Sequence, residues 1–225
     1  MSEVLDKTAR RIIGVLIEKQ LSTPNLYPLS QNALTNGCNQ RSNRNPVVTI
    51  EEFEVEGALR NLYVHEWATN VTGAGSRVLK WKHRAHEKLN LSDEELPIMG
   101  ELLLRGAQTA GELRSRVARM RKFASLEILM EHVEELRNRG LITLLGPTAG
   151  RRAQLYDHTL YLDEETPHEE VISMTRVGDV GAVEPLAKDD LTKDLEAEIA
   201  SLKTRIQRIE DALDMNDPDT EGTTV

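Results

Sequence analysis

Ile12-Ile13-Gly14-Val15-Leu16 returns 86 residues later as Ile98-Met99-Gly100-Glu101-Leu102, and the same offset carries Thr23 to Thr109. Further along, Leu59-Arg60-Asn61 matches Leu136-Arg137-Asn138 at an offset of 77. Gly75, Arg77, Trp81 and His83 then match Gly150, Arg152, Tyr156 and His158 at an offset of 75. Shrinking offsets along one alignment mean two copies of a unit, the first holding about nine extra residues between its second and third helices.

Working outward from these anchors, apolar periodicity predicts helices over residues 5–20, 28–38 and 50–64 in the first copy, and over 93–105, 110–119 and 126–139 in the second. Strands are expected over 67–71 and 78–84, around Gly73-Ala74-Gly75-Ser76, and over 141–145 and 153–157, around Gly146-Pro147-Thr148-Ala149-Gly150. Thr49 to Glu52, Ser92 to Glu95 and Thr109 to Glu112 have capping-box spacing, and Gly140 sits where a helix would end. Three helices followed by a hairpin is winged-helix order. The expected fold class is mainly α with small β-wings (α+β): two tandem winged-helix domains, residues 1–91 and 92–160, plus a C-terminal coiled-coil helix.

Past residue 160 the composition changes. Residues 161–188 are acidic and glycine-containing, as in a flexible linker, and 216–225 read as a disordered tail. Between them, over 189–215, Leu195, Ile199, Leu202, Ile206, Ile209 and Leu213 follow a 4, 3, 4, 3, 4 spacing, the a/d seam of a short coiled coil. So narrow a seam suits another helix, and a homodimer is expected; an amphipathic helix packed on the chain's own body is the competing account.

The net charge of −9 divides unevenly: +3 over residues 1–91, 0 over 92–160 and −12 over 161–225. The body is therefore compatible with nucleic acid, and the acidity belongs to the tail. Apolar runs fall short of the roughly 18 residues that a membrane span needs, so no membrane association is expected. A lone cysteine, Cys38, and the absence of a secretory pattern point to a cytoplasmic protein.

Glu18-Lys19, Thr23-Pro24, Tyr27-Pro28-Leu29-Ser30, Asn32-Ala33-Leu34 and Gly37-Cys38-Asn39-Gln40, followed by Ser42-Asn43-Arg44 and Pro46-Val47, resemble the signature of the YceH family of bacterial proteins. Leu103-Leu104-Arg105-Gly106, Gln108-Thr109 and Gly111-Glu112-Leu113-Arg114 resemble it as well. The resemblance extends to about His158 and implies a pair of winged helices. It implies no chemistry.

A winged helix that reads DNA presents Arg, Lys, Asn or Gln on its third helix. Here those helices carry Glu51, Glu52, Glu54 and Glu56, then Glu127, Glu131, Glu134 and Glu135. The cations lie elsewhere: Arg41 and Arg44 in the inserted loop, Arg77, Lys80, Lys82 and Arg84 along the first wing, Arg114, Arg116, Arg119, Arg121 and Lys122 around the second copy's second helix, and Arg151 and Arg152 on its wing. These are the candidate nucleic-acid contacts, with solvated charged faces as the alternative. The run Asn39-Gln40-Arg41-Ser42-Asn43-Arg44-Asn45-Pro46 would either hydrogen-bond a ligand or satisfy its own irregular backbone.

No enzyme is expected. Cys38 has no base or orienting group nearby in sequence, His83 and His86 lack further metal ligands, and Gly73-Ala74-Gly75 lacks a P-loop lysine. No cofactor or metal is called for. The leading expectation is a regulator-like protein that contacts double-stranded DNA through wings and loops. The alternative is an adaptor whose acidic third helices and apolar wing edges bind a protein partner, similar in architecture to chromosome-condensation accessory proteins.

Overall fold

The computed structural model describes residues 4–72, 78–146, 153–162 and 165. All of them belong to the first of two units into which the chain divides, residues 1–175 and 176–225. The expected coiled-coil seam, Leu195, Ile199, Leu202, Ile206, Ile209 and Leu213, lies outside the described residues, as do most of the acidic stretch and the two hairpin turns.

The first copy runs α1 (Lys7–Ser22), a 3-10 turn (Pro24–Leu26), β1 (Leu29–Ser30), α2 (Gln31–Cys38), α3 (Glu52–Val64), β2 (Ala68–Thr72) and β3 (Leu79–His83). A short α4 (Ala85–Leu89) links it to the second copy: α5 (Glu95–Arg105), α6 (Ala110–Val117), α7 (Leu126–Asn138), β4 (Ile142–Leu145) and β5 (Leu155–His158). The described part is thus a mixed fold of seven α-helices and two small antiparallel sheets.

Local chemistry sets the helix ends. The Ala9 amide donates to Asp6 Oδ1 at 2.8 Å to open α1, and Ser30 and Ser125 cap α2 and α7 in the same way. Thr109 and Glu112 exchange both capping-box bonds, at 3.0 and 3.3 Å, and Ser92 and Glu95 do likewise at 2.8 and 3.2 Å. The box expected at Thr49 falls two residues later, where the Glu51 amide donates to Glu54 Oε2 at 2.8 Å. Gly106 and Gly140, with φ of 68° and 74°, end α5 and α7 in backbone conformations that glycine adopts without steric cost.

Helix α2 starts three residues later than its pattern suggests, because Leu29 and Ser30 are extended and pair with Trp81 and Lys80. β3 is therefore the middle strand, in the order β1-β3-β2, with Asn70 opposite Trp81 on its other side. In the second copy Gln108 makes the equivalent bridge to Tyr156, exchanging backbone bonds of 3.0 and 2.8 Å. A two-residue strand and a one-residue bridge are too short for any periodicity to reveal.

Helices α1 and α5 pack against each other more extensively than any other two helices. Residues 9–18 of α1 and 95–104 of α5 are buried all the way round, as expected of helices enclosed by the rest of a core rather than lying on it. Glycine allows the close approach: a Cβ on Gly14 would stand 2.8 Å from Leu104 Cγ, and one on Gly100 2.6 Å from Ile17 Cγ2. The repeated glycine that aligns the two copies is thus the point at which they meet.

Candidate interaction surfaces

The inserted loop of the first copy turns inward. Arg44 is 4% exposed. Its Nε and Nη2 donate to Gly37 O at 3.0 and 2.9 Å, capping the end of α2, and Nη2 also reaches Gln40 Oε1 and Glu18 Oε2 at 2.8 and 2.5 Å. Asn39 clamps Ile50 with two bonds of 2.9 Å. Asn45 crosses to the second copy, where its amide and Nδ2 donate to Leu104 O and Arg105 O at 3.1 and 3.3 Å, carbonyls left over at the end of α5. Arg105 returns a bond to Asn43 Oδ1 at 2.9 Å, and Arg11 donates to Pro46 O at 2.6 Å. The polar run thus caps two helices and ties the copies together.

Beside it lies a buried ionic cluster. Arg119 bridges Glu18 of α1 and Glu101 Oε2 of α5, the latter at 2.6 Å, and Arg105 Nε stands 3.1 Å from Glu101 Oε1. Both glutamate side chains are 3% exposed or less. Burial pushes the Glu101 carboxyl up to about 7, with Arg105 opposing it, and pulls Arg44 down to about 10. Arg44 and Arg119 were candidate phosphate contacts; the structure gives their donors to internal acceptors instead, because Glu18 and Glu101 could not be buried without partners.

Among the other candidate cations, Arg84 lies 3.5 Å from Glu66, Arg116 bonds Gln108 and Glu112 at 2.9 and 3.1 Å, Arg121 pairs with Glu94, and Arg114 donates to Ala124 O at 3.4 Å. Arg41, Lys80, Lys82 and Lys122 are exposed. Lys80 and Lys82 occupy one face of β3 while Trp81, 8% exposed, turns to the core from the other. Arg77, Arg151 and Arg152 lie outside the described residues.

The third helix of the first copy presents a different chemistry. Val55, Leu59 and Leu62 form its buried stripe. Off that stripe, Phe53 is 73% exposed, Tyr63 51% and Val64 73%, and across from the helix Val78 and Leu79 are 54% and 49% exposed. Tyr63 meets Trp81 edge to face, with centroids 6.3 Å apart. A groove of about 760 Å³ runs between helix and sheet, walled by Glu52, Glu56, Arg60, Tyr63 and Val64 on one side and Asn70, Leu79 and Trp81 on the other. That Tyr63 and Val64 fall off the 55-59-62 stripe was legible in sequence. That a strand would complete the groove was not.

Burial raises the Cys38 thiol to about 12 and lowers His83 to about 4, so at neutral pH neither a thiolate nor an imidazolium stands at those positions. Among the described residues no group of three or more His, Cys, Asp or Glu is placed to hold a metal ion, and no helix is long and apolar enough to cross a membrane.

The class that these observations define is a mixed fold of two similar copies fused through their first helices, with small antiparallel sheets and surfaces of contrasting charge. A family model described as a protein of unknown function, DUF480, matches residues 5–151, and the chain belongs to that family. It is similar to a UPF0502 protein of Pelobacter propionicus, 41% identical over 218 residues that make up 95% of this chain and 97% of that one. It is also similar to the UPF0502 protein of Geotalea daltonii, 44% identical over 172 residues, 76% of this chain and 78% of that one. A third, from Citrifermentans bemidjiense, is 45% identical over 158 residues, 69% and 73% of the two chains.

Proposed function

We propose that this protein is a non-enzymatic tandem winged-helix adaptor that binds another protein through the acidic and apolar faces of its third helices. The twofold recurrence of helix, short strand, helix, helix and hairpin supports the tandem winged-helix reading. One observation carries the adaptor reading: the start of α3, where a DNA-reading helix contacts base edges, exposes Glu51 at the cap and then Glu52, Phe53 and Glu54, while the exposed Arg60, paired with Glu56, and Asn61 come only in its later turns beside Tyr63 and Val64. Carboxylates there repel phosphate and would select a basic partner.

A second reading, contact with double-stranded DNA through the wing, rests on the exposed Lys80 and Lys82 on one face of β3. Both are tested by purifying the protein from cells beside a variant with Glu54→Lys and Glu131→Lys, and beside one with Arg41, Lys80, Lys82 and Lys122 changed to Ala. The adaptor reading expects a stoichiometric protein partner, lost from the first variant only, and weak duplex binding at low salt. Duplex binding that falls steeply between 50 and 200 mM salt, by roughly a hundredfold for four phosphate contacts, and that the second variant abolishes would replace it with the DNA reading.

A further inference from the structure

The groove beside α3 is polarised, and its polarity specifies an occupant. Its wall residues Glu52, Glu56, Arg60, Tyr63 and Val64 recur at helical spacing along one side of α3, so the groove follows about 18 Å of helix, roughly three turns. Toward the start of α3 the wall is acidic: Glu52 is exposed, Glu56 is partly exposed, and Glu51 and Glu54 lie on the same turns. Toward its end the wall is apolar and aromatic, with Tyr63 and Val64 facing Val78, Leu79 and the ring of Trp81. Arg60, between the two ends, is paired with Glu56.

This chemistry is peculiar to the first copy. The structure aligns the third helices at an offset of 74 rather than 77, setting the caps Glu51 and Ser125 and the buried stripes Val55, Leu59, Leu62 and Leu129, Val133, Leu136 on each other, so that Tyr63 corresponds to Arg137 and Val64 to Asn138. Four of the ten large apolar residues exposed among the described residues, Tyr63, Val64, Val78 and Leu79, line this one groove. A concentration of this kind marks a binding surface rather than scattered surface apolarity.

Building on the adaptor reading, we infer that the groove receives an amphipathic helical segment of a partner protein, about three turns long. One end of that segment inserts apolar side chains at i, i+4 and i+7 between α3 and β3, and the other end carries Lys or Arg against Glu52 and, in place of Arg60, against Glu56. The apolar anchors supply the affinity by being desolvated against Tyr63, Val64 and Leu79, and the cations set the direction in which the segment lies.

The experiment titrates the full chain with three labelled helical peptides of about 15 residues. The first has leucines on one face of its first half and lysines in its second. In the second peptide the lysines are glutamates, and the third is a scrambled sequence of the first peptide's composition. Fluorescence anisotropy gives affinity, and backbone amide shifts locate the site. The inference expects the leucine-lysine peptide to bind best, with shifts concentrated in residues 52–64 and 78–81. Its affinity should fall about tenfold or more in Val64→Asp with Leu79→Asp, and again in Glu52→Lys with Glu56→Lys. Ile128→Asp on α7 should leave it unchanged.

Circular dichroism melts confirm that the variants fold, and the second double variant changes only partly or fully exposed glutamates. Absence of binding, equal binding of the glutamate or scrambled peptide, or shifts elsewhere would overturn the assignment. So would a dimer that dissociates in Val64→Asp, which would make the occupant a second copy, or duplex DNA that shifts the same amides. If the peptide fails while partner capture still depends on Glu131, the groove assignment falls and the adaptor reading stands. Loss of both removes the adaptor reading as well.

Discussion

At the scale of single residues, Arg44 shows how a cation in a polar loop becomes part of the core. The guanidinium has a planar fork of donors, and here that fork meets a helix-end carbonyl, a glutamine and a buried glutamate at once. Arg44→Met would leave Glu18 with less compensation and Gly37 O without its donors. A loss of about 3–5 kcal/mol in unfolding free energy is expected, the range for removing one partner of a buried pair. Arg41→Ala, three residues earlier and exposed, should change stability by no more than about 0.5 kcal/mol. Urea denaturation of both variants checks this, and equal small effects would mean that the Glu18 cluster is hydrated and inexpensive. Residue type alone could not separate these arginines: both sit among Asn, Gln and Ser, and what distinguishes them is Glu18, 26 residues before Arg44 and on another helix.

At the scale of elements, the pairing of α1 with α5 explains the two glycines that first aligned the copies. In an exposed helix, Gly→Ala stabilises by about 1 kcal/mol. Gly100→Ala should do the opposite, because the new methyl would stand 2.6 Å from Ile17 Cγ2 and force two well-packed helices apart. A loss of about 1–3 kcal/mol is expected from such overpacking. Gly57 is the internal control: it lies on α3 with nothing within 4 Å of its would-be Cβ, and Gly57→Ala should gain about 0.5–1 kcal/mol. Thermal melts of the two variants should therefore shift in opposite directions, and parallel shifts would show that the helix pair yields readily. The same element scale explains what periodicity missed. β1 pairs over two residues and α4 spans five, so neither completes a repeat long enough to read.

Taken as a whole, the described residues are a repeat that became one core. Ile12, Ile13, Leu16 and Ile17 of the first copy and Ile98, Met99, Leu102 and Leu103 of the second belong to a single buried cluster. The backbone bond from Leu5 N to Leu160 O, at 3.0 Å, joins the two ends of this body as well. Residues 1–91 produced alone would expose the α5-facing side of α1 and leave the Glu18 and Arg44 pair half open. The fragment is expected to lack a cooperative melting transition and to bind a hydrophobic dye, while the full chain melts its described body as one step. A sharp, reversible melt of the fragment would show that the copies are independent folding units.

The recurring elements follow from sequence, because helical periodicity, capping boxes and terminal glycines are local and act within a few residues. Sequence also shows that the first helices of the two copies resemble each other and that the third helices are acidic. Tertiary structure alone decided which cations reach solvent, since Glu18, Gly37, Glu101 and Leu104 come together only after α1, α2 and α5 have packed. It likewise decided that the polar loop is a tie between copies, and that Tyr63 and Val64 face Leu79 and Trp81 across a groove. Burial and pairing depend on neighbours distant in the chain, and a carboxylate or guanidinium reads the same in sequence whether water or another charge will surround it.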